Sequence, residues 1–149
     1  MALVHQLKES KLPSPAAMFV GTPASDLTKT GDSYFTNAEV CNGLGRYDGF
    51  IEESLKLYAG QQDMKQPLLS PVYGAFRNFP PTLLVSGTRD LLLSNMVRVH
   101  RRVREARVAA ELHVYEGQSH AEYRRAPESP ESQDLFREIA VFMNRSFGR

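Results

Sequence analysis

The sequence predicts an α/β fold built on about three parallel strands with flanking helices. Residues 16–21 (AAMFVG), 82–87 (TLLVSG) and 111–115 (ELHVY) are short apolar-rich runs. They are too short for helices and suit strands buried within a sheet. Between and after them lie stretches whose apolar residues recur at helical spacing, near 94–107 and beyond Ser129. Strands of this kind alternating with amphipathic helices imply a parallel sheet joined by right-handed crossovers.

Taken in order, residues 2–9 (ALVHQLKE) read as a helix that Pro13 and Pro15 prevent from continuing. The run at 16–21 is the first strand. TPASDLTKTGDSYFTN, which follows, is rich in Thr, Ser, Asp and Gly and reads as a long polar loop. A helix is expected from about Gly49 to Ala59, with Phe50, Ser54, Leu55 and Tyr58 on one face and Gly60 as its stop. Residues 63–81 carry Pro67, Pro71 and the Pro80-Pro81 pair, so that segment reads as mostly loop. The strand at 82–87 leads to a helix over roughly Ser94–Arg107, with Leu93, Met96, Val97, His100 and Val103 at helical spacing. After the strand at 111–115, Ser129-Pro130 supplies a cap and a first position for a last helix. That helix turns Leu135, Phe136, Ile139, Phe142 and Met143 toward a core.

The chain has 149 residues, a length that suits a single domain. Its 42% hydrophobic and 23% charged content is that of an ordinary globular protein. The net charge of +1 gives no reason to expect nucleic acid or an acidic membrane as a partner. The arginines at 98, 101, 102, 104 and 107 fall within a predicted helix, where a solvated face accounts for them. Cys41 is alone, so no intramolecular disulfide forms, and an idle thiol in a reducing compartment is the expectation. No apolar run approaches the ~20 residues that span a bilayer. With no signal-peptide pattern at the N-terminus, a cytoplasmic location is expected.

In open parallel sheets, sites form at the carboxyl ends of the strands. Two such ends carry ionisable groups here: SGTRD delivers Asp90, and EGQSH delivers His120. Adjacent parallel strands lie ~4.8 Å apart, so neighbouring loops can bring a carboxylate to an imidazole. Such a carboxylate fixes the ring tautomer and leaves the other nitrogen free to take a proton from a hydroxyl. Plainer readings stand beside this one: Asp90 as a helix cap, and His120 as a solvated loop residue. His5, His100 and His113 lie near the N-terminus, on an apolar helix face and within a strand, and are expected to be structural. Asp90, His120 and Glu116 lack metal-ligand spacing, so no metal is expected.

The stretches Ser70-Pro71-Val72-Tyr73, Pro80-Pro81-Thr82, Gly87-Thr88-Arg89-Asp90 and Glu116-Gly117-Gln118-Ser119-His120 resemble the C-terminal part of an α/β-hydrolase. The resemblance is to the hormone-sensitive-lipase-like esterase branch. Ser25-Asp26-Leu27-Thr28 through Thr36-Asn37 is similar to the loop after that family's sixth strand. By this resemblance Asp90 is the triad acid and His120 the triad base, and carboxylic esters are hydrolysed without metal or organic cofactor.

The sequence departs from the family in two respects. The family's serine stands upstream on a G-x-S-x-G turn. Here Ser33 in TGDSYF is followed by Phe35 where glycine belongs, and GQSHA ends in Ala121. The HGG-type oxyanion loop is absent too. The chain is therefore expected to be a partial domain that begins inside the helix after the nucleophile and is inactive alone. Its strand at 16–21 is expected to be an apolar edge that pairs with a second copy or a partner chain. An ester substrate would bind only when the remaining half is supplied. A split hydrolase and a non-catalytic interaction module are the alternatives. Phe35, Leu44 and Tyr47 are candidate pocket residues.

Overall fold

The computed structural model describes residues 1–148 and contains one parallel sheet of three strands, side by side in chain order. These are β1 (Met18–Gly21), β2 (Thr82–Gly87) and β3 (Ala110–Tyr115). Every residue of β2 is buried, which is why TLLVSG reads as a continuous run rather than an alternation. Leu84 on one face packs with Val20, Met96, Val99, Val103 and Ala110. Leu83 and Val85 on the other pack with Leu135 and Phe142. The first face is covered by α1 (Ala2–Glu9) and α4 (Leu93–Glu105), and the second by α6 (Pro130–Ser146). Ser129 caps α6 by accepting the Ser132 N–H.

The strand at 16–21 is shorter than its apolar run. Pairing starts at Met18 opposite Thr82, and Pro80 and Pro81 before Thr82 have no N–H with which to extend the ladder. On α4 the core face is Met96, Val99 and Val103, while Val97 is 43% exposed, because three- and four-residue steps from Met96 skip Val97.

The face of α3 (Phe50–Ala59) also differs from expectation. Ile51 and Leu55 pack against a cluster of Tyr34, Cys41, Tyr47, Leu91 and Leu92, and Ala59 is buried one turn further on. Phe50 and Tyr58 lie outside, at 84% and 67% exposure. Two apolar stripes run along this helix, and its periodicity alone does not say which one meets the core.

The polar stretch after β1 is not an open loop. It holds the short helix α2 (Ser33–Thr36) and is packed against α4. Asp26 is fully buried and accepts from the Thr28 N–H (2.8 Å), the Thr28 hydroxyl (2.7 Å), the Tyr73 hydroxyl (2.9 Å) and Arg98. Tyr34 donates to the Asp26 carbonyl and accepts from the Asn95 amide, and burial pushes its phenol up to about 12. Polar residues that bond to one another in this way lose few hydrogen bonds on burial, although Asn95 Oδ1 is buried without a partner among the described residues. The segment 63–81 is loop apart from one 3₁₀ turn at Pro71–Tyr73, and a short helix α5 (Glu122–Arg125) precedes α6.

The ends of β2 and β3 position the loops that leave them. Gly87 pairs with Tyr115, so both strands finish at one level. Beyond that pair the loops remain joined: Thr88 N donates to Tyr115 O (3.0 Å), Arg89 N to Gln118 O (3.1 Å), and Gly117 N to the Thr88 hydroxyl (2.9 Å). A Cβ on Gly87 would run into the Gln118 carbonyl, so glycine permits this approach.

His5 is structural. Its ring is buried against Phe76 and Phe79, with centroids 5.4 and 4.7 Å away, and Nε2 lies 3.2 Å from the Pro71 carbonyl. Burial pushes its pKa below the usual histidine value, against a smaller opposing effect of the Pro71 carbonyl. His100 Nε2 lies 3.3 Å from the Ala110 carbonyl, His113 lies beside Glu111, and Cys41 is buried.

Two predictions follow from these packings. The folded state disfavours protonated His5, so the unfolded chain binds the extra proton first, and stability falls as pH drops through about 6.5. Urea unfolding midpoints should therefore decrease between pH 7.5 and 5.5, and less steeply in His5→Gln; an unchanged slope in that variant would refute the assignment. Gly87→Ala should destabilise the chain by about 1–3 kcal/mol through overpacking. It should also shift the amide resonances of residues 117–120, whereas a wild-type spectrum in that loop would contradict the close approach.

Candidate active site

The Asp90 carboxylate is fully buried and has three donors around it. The Ser86 hydroxyl donates to Oδ2 at 2.8 Å, the Leu92 N–H to Oδ1 at 3.0 Å, and His120 Nδ1 lies 3.2 Å from Oδ1. The bond to Leu92, two residues on, is an Asx turn leading into α4. The helix-entry reading of Asp90 and the histidine contact therefore hold together: one oxygen serves both.

A carboxylate only accepts, so Nδ1 carries the proton in this contact. The lone pair then sits on Nε2, which makes no hydrogen bond among the described residues. The His120 side chain is 21% exposed, and Asp90 holds the ring through Nδ1. That is the arrangement of a general base oriented by an acid. The loop around it is fixed by its neighbours. Ser119 N donates to Glu122 Oε2 at 2.6 Å, and the buried Ser119 hydroxyl accepts from Asn42 N at 3.1 Å. Ala121 takes a left-handed conformation (φ 52°) to turn the chain into α5.

Ser33 takes no part in this arrangement. It is buried, its hydroxyl donates to the Leu91 carbonyl at 2.8 Å, and it accepts from Ser94 N at 2.9 Å. Of the residues offered as pocket lining, Tyr47 is buried and donates to the Leu27 carbonyl, Leu44 packs on its cluster, and Phe35 is 63% exposed. Among the described residues, no group of three or more His, Cys, Asp or Glu side chains could hold a metal ion. None of their helices is long and apolar enough to cross a membrane.

Three residues that contact the two loops were not read from the sequence: Ser86, Asn37 and Asn42. Ser86 had a visible signal, as a hydroxyl near the end of an otherwise apolar strand and four residues before Asp90. Asn37 appeared only as the end of a loop that resembles the family's, and Asn42 had no signal, since their partners lie far away along the chain.

Residues 1–124 match the family described as the alpha/beta hydrolase fold. Among solved structures, that of an esterase, E25, superposes with a TM-score of 0.94 at 46% identity, over 97% of this chain and 44% of that one. A hormone-sensitive lipase from a metagenome library gives 0.90 at 28% identity, covering 97% of this chain and 49% of that one. An esterase from the bacterial hormone-sensitive lipase family gives 0.91, also at 28%, covering 97% and 48%. The chain thus spans a little under half the length of these relatives. No curated protein sequence matches it. The chain belongs to the α/β-hydrolase fold family, within its esterase and hormone-sensitive-lipase-like branch.

Proposed function

We propose that this chain supplies the acid and the base, Asp90 and His120, of a serine esterase triad. The observation that carries the reading is the 3.2 Å contact between His120 Nδ1 and the buried Asp90 carboxylate, with Nε2 left for a hydroxyl. In this reading Nε2 takes the proton of a serine hydroxyl as that oxygen attacks the ester carbonyl. The imidazolium that forms is stabilised by Asp90 and then protonates the departing alkoxide. Water, activated by the same nitrogen, releases the acid. The likeness to esterases supports a carboxylic ester as the substrate class.

The sequence contains no G-x-S-x-G and no HGG loop, so the nucleophile and the oxyanion donors have to come from elsewhere. A general base contributes ~10²–10⁴-fold only beside a reacting group, so the chain alone has nothing but water to activate. The strand at 16–21 fits a role in completing the site. As β1 it pairs on one side only, with β2. An unpaired apolar edge of this kind is a template for another strand, from a second copy or from a partner chain that carries the serine. The reading of a split hydrolase rests on this edge together with the coverage of about half of each relative. A non-catalytic module would use the same edge without Asp90 or His120. The buried, unpaired Cys41 fits a reducing compartment such as the cytoplasm.

The test is hydrolysis of a short-chain nitrophenyl ester. The 149-residue chain alone should show no turnover above buffer. Co-expressed with a polypeptide bearing the nucleophile turn and oxyanion loop, it should hydrolyse the ester, and His120→Ala should lower kcat by about 10³-fold or more. Turnover by the chain alone that disappears in His120→Ala would refute the missing-nucleophile account. Turnover by the complex that is indifferent to His120→Ala would refute the assignment of the base.

A further inference from the structure

The segment between β1 and α3 reaches both loops of the acid–base pair. Asn37 ends α2, and its amide nitrogen donates to the Thr88 carbonyl at 3.0 Å and to the Asp90 carbonyl at 2.8 Å. Two carbonyl oxygens can be met only by the NH₂ end of an amide, so its partners fix which way the group points. The rest of α2 is tied to the same stretch. The Ser33 hydroxyl donates to the Leu91 carbonyl, and Ser33 and Ser94 exchange bonds between each N–H and the other's hydroxyl at 3.0 and 2.9 Å. Further along, Asn42 N holds the Ser119 hydroxyl, and a Cβ on Gly43 would come within 2.9 Å of the His120 carbonyl oxygen.

We propose that Asn37 is a positioning residue for the Asp90–His120 pair. It acts by clamping the carbonyls on either side of Arg89, and so sets the height at which the Asp90 carboxylate meets the imidazole. The inference rests on the acid–base reading above and adds a residue to it. Among the described residues the Thr88 carbonyl accepts from no other group, so without Asn37 that side of the loop is untied. The Asp90 carbonyl would keep only the Leu93 N–H, at 3.1 Å. The requirement is chemical as well as steric. An aspartate at 37 would have the same shape but would set carboxylate oxygens against two carbonyl oxygens.

The readout is the tautomer of His120, which a merely structural residue would leave alone. Ring ¹H–¹⁵N correlation spectra are recorded at pH 8.5, where an ordinary imidazole is neutral, for wild type, Asn37→Asp, Asn37→Ala and Ser33→Ala. Wild type should hold mainly the Nδ1–H form. Both Asn37 variants should lower the ratio of Nδ1–H to Nε2–H several-fold. Ser33→Ala, which loses the Leu91 anchor and the acceptor for the Ser94 N–H but keeps both Asn37 bonds, should retain the wild-type pattern. If wild type itself shows no preference for Nδ1–H, the acid–base reading fails and this inference with it. If wild type shows the preference and both Asn37 variants keep it, whatever their melting temperatures, the inference fails and the acid–base reading stands. Loss of the fold in both Asn37 variants would also overturn the proposal, by making Asn37 a residue of the core rather than of the loop.

Discussion

The in-register pairing of Gly87 with Tyr115 brings two neighbouring parallel strands to an end at the same level. From there the chain has little freedom. Bonds from Thr88 to Tyr115 and from Arg89 to Gln118 carry the pairing past the sheet, and the absence of a side chain at Gly87 lets the second loop lie against the first. Three residues past one strand end stands Asp90, and five past the other stands His120, which face each other across the joined loops. A longer separation, or a bulky residue at 87, would part the imidazole from the carboxylate. The meeting of Asp90 and His120 is in this sense a consequence of strand register.

The polar excursion after β1 serves the same end from the opposite side. Asp26, buried beneath Arg98 and Tyr73, anchors it to α4, and α2 then lies over the Asp90 loop while residues 41–43 lie against the His120 loop. A buried carboxylate is costly unless its oxygens are met, and here four donors meet them. The opposite condition holds at β1. Its outer edge has no strand partner among the described residues, and the outward stripe of α3, with Phe50, Leu57 and Tyr58, is open to solvent. Both features suit a chain that spans under half of each esterase it resembles.

Much of this was legible from residue types. A strand buried on both faces has to be apolar throughout, and β2 is TLLVSG. Asp90 and His120 stood out because each follows a strand, which is where a parallel sheet gathers its side chains. What stayed hidden depended on distant partners. The bonds of Asn37 span 51 and 53 residues, so nothing near it in sequence marks it as more than a loop asparagine. Composition misdescribed the excursion for a related reason: Ser, Thr and Asp are common in open loops and equally able to fill a buried region when they bond to one another. On α3 the expected face of Phe50, Ser54, Leu55 and Tyr58 gives way to Ile51, Leu55 and Ala59, because the cluster of Tyr34 and Tyr47 determines which stripe is covered.

The most direct test is a double-mutant cycle on the pair itself. Unfolding free energies are compared for wild type, Asp90→Ala, His120→Ala and the double variant at a pH where imidazole is neutral. A hydrogen bond to a charged acceptor should give a coupling energy of about 1–2 kcal/mol between the two positions. Additive losses, within about 0.3–0.5 kcal/mol, would mean that the two side chains do not interact in solution. The acid and base would then have no physical connection on which a hydrolase could be built.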